Sequence, residues 1–210
     1  ITKAAQSAGA KVGFDLAHAA GNLPLALHES GADFAAWCSY KYLNSGPGSI
    51  AGAFVHERHA ENNLPRFHGW WGHQQHSRFQ MGAEFKATPG AEGWQLSNPP
   101  IFAMAPLRAS LEIFQSVGMQ CLRQKSIQLT SYLESLIEQE LSAIIRSVTP
   151  KNVEQRGCQL SLQVLAGREQ GRALFEHLQK HNIIGDWREP DVIRLSPTPL
   201  YNSYSDCFQA

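Results

Sequence analysis

The stretch Phe34-Ala35-Ala36-Trp37-Cys38-Ser39-Tyr40-Lys41-Tyr42-Leu43-Asn44-Ser45-Gly46-Pro47-Gly48 opens on four apolar residues that read as a buried strand and closes on a glycine-rich turn. Between the two stands Lys41, with hydroxyl and aromatic side chains on either side. An amine that leaves a strand end for a tight turn is where an enzyme can hold a nucleophile in reach of a carbonyl. Upstream, Lys11-Val12-Gly13-Phe14-Asp15-Leu16-Ala17-His18 forms another short apolar run, and this one ends on a carboxylate. Two strand ends then face one site.

Working outward, strand-like segments at 12–15, 34–39 and 50–55 and a short helical stretch at 25–30 alternate as they do in α/β proteins. Ligands of such sheets collect at the carboxyl ends of the strands. Residues 56–100 are rich in His, Trp, Gly and Gln with little periodicity, the mark of a long functional loop region. After Pro106 the apolar residues Leu107, Leu111 and Phe114, then Leu122, Leu129, Leu133, Leu136 and Ile137, recur at helical spacing. Cys158, Leu160, Leu162 and Val164 alternate with polar residues, as in a half-buried strand. A helix at 169–181 and a strand at 192–195 complete a small α/β unit. The expected division is 1–110 and 111–210.

Lys plus Arg equals Asp plus Glu at 18 each, so no charge excess points to nucleic acid or to an anionic membrane. A small-molecule partner is expected. The four cysteines, at 38, 121, 158 and 207, form no CxxC pair, which suits a reducing, cytoplasmic setting better than a disulfide scaffold. No apolar run approaches the roughly 20 residues of a spanning helix. His68, His73 and His76 lie close together, but their spacing matches no zinc motif, so no metal site is expected.

Taken singly, Lys41 reads as a solvated loop lysine and Asp15 as a turn or cap residue. Together they match what pyridoxal phosphate requires: an amine for the resting Schiff base and a carboxylate that keeps the ring nitrogen protonated. Arg194, on the strand-like run Val192-Ile193-Arg194-Leu195, is a cation in a costly position unless paired. Either a substrate carboxylate or a protein carboxylate such as Glu189 or Asp191 would satisfy it.

The segments Val12-Gly13-Phe14-Asp15-Leu16-Ala17-His18-Ala19-Ala20-Gly21-Asn22 and Trp37-Cys38-Ser39-Tyr40-Lys41-Tyr42-Leu43-Asn44 closely resemble the kynureninase family. So do Ile50-Ala51-Gly52-Ala53-Phe54-Val55-His56-Glu57, Gly69-Trp70-Trp71-Gly72-His73, Leu96-Ser97-Asn98-Pro99-Pro100 and Pro199-Leu200-Tyr201-Asn202-Ser203, in the family's order. The resemblance implies fold type I of the pyridoxal-phosphate-dependent transferases, with part of the large-domain sheet in 1–110 and an incomplete small C-terminal α/β domain in 111–210. It also implies that both ends are cut and that this C-terminal half alone is inactive. The implied reaction is hydrolysis of L-kynurenine or 3-hydroxykynurenine to anthranilate or 3-hydroxyanthranilate plus L-alanine, in tryptophan catabolism and NAD biosynthesis.

By the same resemblance, Lys41 and Tyr40 are catalytic, and Asp15, His18, Tyr40, Lys41, Trp70 and Asn98 contact the cofactor. Arg194, Asn98 and Ser97 contact the substrate. Trp70 and Asn98 reach the site of the neighbouring subunit in a homodimer. Two other readings compete. A cysteine desulfurase or related lyase of the same superfamily shares the aspartate, the lysine and the glycine-rich turn, but typically has histidine before the lysine, where Tyr40 stands. A noncatalytic fragment is the other.

Overall fold

Short apolar runs set the order of elements in the computed structural model, which describes residues 1–61 and 64–210. The chain divides into two compact units, Ile1–Ser116 and Val117–Ala210.

In the first unit, α1 (Thr2–Ser7) leads into β1 (Gly13–Asp15), followed by β2 (Phe34–Trp37) and β3 (Gly52–Val55). β1 and β2 pair in parallel with Asp15 opposite Ala36, and β3 runs antiparallel to β2 with Ala53 opposite Ala36. Because β1 and β2 are parallel neighbours, their carboxyl ends open at the same edge of the sheet. The strand ends that carry Asp15 and precede Lys41 are therefore adjacent. Asp33, immediately before β2, is buried and clamps the sheet: it accepts hydrogen bonds from the Val12 N–H at 2.8 Å and from Gln6 of α1 at 3.2 Å.

The helix expected at 25–30 is a single turn, with the Ser30 N–H on the Ala26 carbonyl at 2.9 Å. Pro24 before it and Gly31 after it, at φ 70°, leave no room for a second turn. Beyond β3 the chain runs through short 3-10 turns to α2 (Ile101–Val117). This helix begins ahead of Pro106 rather than after it. The hydrogen bond that proline removes would have ended on the Phe102 carbonyl, and Phe102 is 95% exposed, so water can take its place.

The second unit begins with α3 (Met119–Glu140), followed by β4 (Ile145–Ser147), β5 (Leu160–Val164), α4 (Arg168–Lys180), β6 (Asp186–Arg188), β7 (Val192–Leu195) and α5 (Tyr204–Gln209). Its sheet is antiparallel throughout, in the order β4-β5-β7-β6. Leu160, Leu162 and Val164 of β5 and Ile193 and Leu195 of β7 share one face, and they form a core with Leu129, Leu133 and Ile137 of α3 and Phe175 of α4. The period-two alternation of β5 thus meets the period-3.6 stripe of α3. Leu129 and Leu160 are fully buried. The opposite face carries Ser161, Gln163, Arg194, Asp186 and Arg188, brought side by side by the strand register. At the end of the chain Ser203 and Asp206 form a reciprocal capping box that starts α5.

Among the described residues no helix is long and apolar enough to cross a membrane.

Candidate active site

Directly after β1 the backbone coils into a turn in which the Ala19 and Ala20 N–H groups return to the Leu16 carbonyl at 2.9 and 3.0 Å. The Ala17 N–H donates to Asp15 Oδ1 at 2.9 Å, so the carboxylate that ends the strand also starts the turn. The same turn carries His18. Gly21 closes it at φ 81°, and a Cβ at that position would lie 2.7 Å from the Tyr42 carbonyl group. Only glycine allows so close an approach in that conformation. The approach brings the His18 turn onto the segment that holds Lys41, and His18 Nε2 stands 3.3 Å from Lys41 Nζ.

The Lys41 turn is pinned at both ends by serines. Ser39 is fully buried and donates to the Ile50 carbonyl, Ser45 donates to Ser39 Oγ at 2.7 Å, and the Ser45 N–H reaches the Ser39 carbonyl at 3.2 Å. Asn44 takes a left-handed conformation at φ 54°, which asparagine tolerates, and its N–H closes on the Lys41 carbonyl at 3.0 Å. From α2, Ser110 donates to the Leu43 carbonyl. The turn is therefore rigidly framed, while Tyr40 is half exposed, with its ring centroid 6.0 Å from Lys41 Nζ. Interaction with the Cys38 side chain raises the Tyr40 phenol above its ordinary value.

Asp15 lies in an open trough of about 410 Å³ that also includes Gly13, Ala36, Trp37, Cys38 and Ala51. The donor set suits pyridoxal phosphate: an amine on a fixed turn, a carboxylate with one oxygen tied to the backbone and the other open among the described residues, an imidazole beside the amine, and a protonated phenol.

Trp70, Ser97 and Asn98 belong to the loop region of the first unit. The Trp70 ring meets Phe79 edge-on at 5.6 Å, and a Cβ on the preceding Gly69 would lie 2.2 Å from Leu96 Cα. The Trp70 turn is thus packed onto the strand of chain that leads into Ser97 and Asn98, both exposed. His68 stacks on Phe85 at 4.4 Å and His73 contacts Ser77 at 3.0 Å; among the described residues no three His, Cys, Asp or Glu side chains gather as metal ligands.

Arg194 belongs to the second unit. Neither Glu189 nor Asp191 is its partner: Glu189 is held by Arg168 at 2.7 and 2.9 Å, and Asp191 accepts from Gln163 at 3.1 Å. Arg194 instead donates through Nε and Nη2 to Asp186 Oδ2, the Nε contact at 2.6 Å. The reading of the sequence also passed over Ser39, Ser45 and Gly21. The two serines flank the lysine visibly, but only the closed turn shows why.

Comparison with known proteins extends this geometry. Residues 122–210 match the family model described as the kynureninase C-terminal domain. The chain is 62% identical over 207 residues to the kynureninase of Stenotrophomonas maltophilia, covering 98% of this chain and 49% of that protein. It is 61% identical over 209 residues to the kynureninase of Xanthomonas campestris pv. campestris, covering 100% of this chain and 49% of that protein. The chain belongs to the kynureninase family. It spans about half the length of the curated kynureninases it matches. Among solved structures, a cysteine desulfurase from Escherichia coli superposes with a TM-score of 0.77 at 18% identity, over 99% of this chain and 51% of that one. A cysteine desulfurase from Thermococcus onnurineus NA1 gives 0.72 at 18%, over 98% and 52%. At that identity the likeness is one of fold, the fold that kynureninase-family chains share with other fold type I enzymes.

Proposed function

We propose that the whole protein is a pyridoxal-phosphate-dependent hydrolase that cleaves L-kynurenine or 3-hydroxykynurenine to anthranilate or 3-hydroxyanthranilate plus L-alanine, a cytoplasmic step of tryptophan catabolism and NAD biosynthesis. The observation that carries the reading is the pair Asp15 and Lys41 at adjacent parallel strand ends, in a chain 62% identical to a curated kynureninase. In this reading, residues 1–110 belong to the large cofactor-binding domain and 111–210 to the small domain.

When bound, the cofactor supplies a carbonyl that amines can capture and a ring that accepts electrons from the substrate Cα. Lys41 provides the resting amine and, once substrate has displaced it, takes the Cα proton. His18, 3.3 Å away, orients that amine. Asp15 holds the ring nitrogen in its protonated form, with its carboxylate plane fixed by the Ala17 N–H. Tyr40, a phenol that carries its proton at neutral pH, returns a proton to the three-carbon remainder before alanine leaves. Arg194 binds the substrate α-carboxylate, and Ser97 and Asn98 contact the rest of the substrate.

Borohydride reduction of the whole protein with bound cofactor, followed by peptide mapping, should leave the label on Lys41 and none in Lys41→Ala. A label on another lysine would overturn the assignment.

Trp70 and Asn98 are proposed to complete the site of a neighbouring subunit in a homodimer, so that each site draws on both chains. Mixing inactive Lys41→Ala and inactive Asn98→Ala subunits should then restore part of the activity, because one of the two mixed sites carries neither change. Mixtures that exchange subunits and stay inactive would show that each chain builds its own site.

A further inference from the structure

The polar face of the second unit's sheet has an uneven charge pattern. Register alone puts Asp186 of β6 directly opposite Arg194 of β7, and Arg188 follows two residues later on the same face. Asp186 Oδ2 accepts from both arginines, from Arg188 Nε at 3.1 Å and from Arg194 Nε at 2.6 Å. The neighbouring Arg146, Gln163 and Asp191 are joined among themselves, at 2.6 Å from Arg146 to Gln163 and 3.1 Å from Gln163 to Asp191. Among the described residues three guanidiniums thus share this face with two carboxylates, which leaves one positive charge over for an anion.

The atoms used on Arg194 say where that anion would bind. A guanidinium has five N–H groups in a planar fork. Asp186 takes the one on Nε and one on Nη2. Among the described residues both N–H groups of Nη1 and the second of Nη2 are left over, and one from each nitrogen forms the end-on edge that pairs with a carboxylate through two parallel hydrogen bonds. The Arg194 side chain is only 20% exposed, so its orientation is set by what it touches rather than by solvent.

We propose that Asp186 is the positioning residue for substrate recognition: by occupying the Nε–Nη2 side of Arg194 it turns the Nη1–Nη2 edge toward the α-carboxylate of the amino-acid substrate. The proposal rests on the reading of Arg194 given above. Both contacts end on a single oxygen of Asp186, an arrangement that an asparagine oxygen can reproduce. A glutamate keeps the charge but moves that oxygen outward by one methylene and tilts the fork.

The test measures L-kynurenine kinetics in the whole cofactor-loaded protein. Alongside it, calorimetry follows binding of the desamino analogue 4-(2-aminophenyl)-4-oxobutanoate, which keeps the carboxylate but has no amine to react. Asp186→Ala should raise both KM and the analogue's Kd about tenfold, the size of one charge-assisted hydrogen bond lost, with kcat little changed. Asp186→Glu should raise both as well, and Asp186→Asn should stay close to the parent. If the alanine variant does not fold, the glutamate and asparagine variants decide the matter. A glutamate variant that behaves like the parent, or unchanged KM and Kd in the alanine variant, would reduce the pair to a cross-strand tie and overturn the proposal. Arg194→Ala serves as the separate control: unchanged binding there would bring down the carboxylate reading itself.

Discussion

Asp33 offers the sharpest test of how the first sheet is held, because one buried carboxylate gathers partners from three separate segments. It is 4% exposed and accepts from the Val12 N–H at 2.8 Å, from His59 at 2.6 Å, from Gln6 at 3.2 Å and from Arg58 Nη2 at 3.0 Å, with Lys11 Nζ at 3.7 Å. Burial alone would raise its pKa. The hydrogen bonds from Val12, His59, Gln6 and Arg58 outweigh burial and hold the carboxyl well below the usual carboxylate range. Removing one partner of a buried charge pair costs about 3–5 kcal/mol. Arg58 and Lys11 reach solvent and recover hydration, which places Asp33→Ala near the lower end, about 3 kcal/mol. The pH dependence has a definite sign. The folded pKa lies below the unfolded value of roughly 3.9, so the stabilisation is complete above that value and is lost as pH falls through the folded pKa. Urea unfolding of parent and Asp33→Ala, followed by circular dichroism, should show the full gap at pH 7 and a narrowing gap below about pH 4. Equal midpoints at pH 7, or a gap that stays constant into strong acid, would refute the clamp.

Gly21→Ala should cost about 1–3 kcal/mol, since it adds left-handed strain and a Cβ 2.7 Å from the Tyr42 carbonyl. Because the turn must back away from Lys41, turnover should fall further than the melting temperature suggests, and matched activity and thermal scans would show whether it does. Asp15→Asn should lower turnover far more than cofactor affinity, because an amide still hydrogen-bonds but no longer favours a charged ring nitrogen. Equal losses of affinity and rate, measured by cofactor titration and steady-state kinetics, would count against the electron-sink role.

The sequence is most informative where chemistry is local. Asp15 and Lys41 stand out because each ends or follows an apolar run, and the run itself shows which strand end carries it. Strand ends are harder to read. The strand-like reading runs on through Cys38 and Ser39, but Ser39 leaves the ladder to bind the Ile50 carbonyl and Ser45, so β2 stops at Trp37 and β3 starts only at Gly52. β4 and β6 are three residues each, too short for a period to appear, and Asp186-Trp187-Arg188 looks like a charged turn. Asp33 reads as a residue at the start of a strand, since the partners that make it a clamp lie more than twenty residues away along the chain.

Arg194 shows most clearly where sequence reasoning stops. That a cation on an apolar strand needs a partner follows from the cost of burying charge, and the run Glu189-Pro190-Asp191 supplies two carboxylates a few residues upstream. Proximity along the chain is the wrong measure in an antiparallel sheet. Side chains alternate faces with period two, and the residue that meets Arg194 is whichever one pairing sets opposite it. β6 and β7 pair so that this residue is Asp186, eight positions away, while Glu189 and Asp191 are taken by Arg168 and Gln163. A slip of one residue in that pairing would turn Asp186 to the apolar face and leave Arg194 without its anion. The register of two short strands, which no local pattern announces, therefore decides how the Arg194 guanidinium is held.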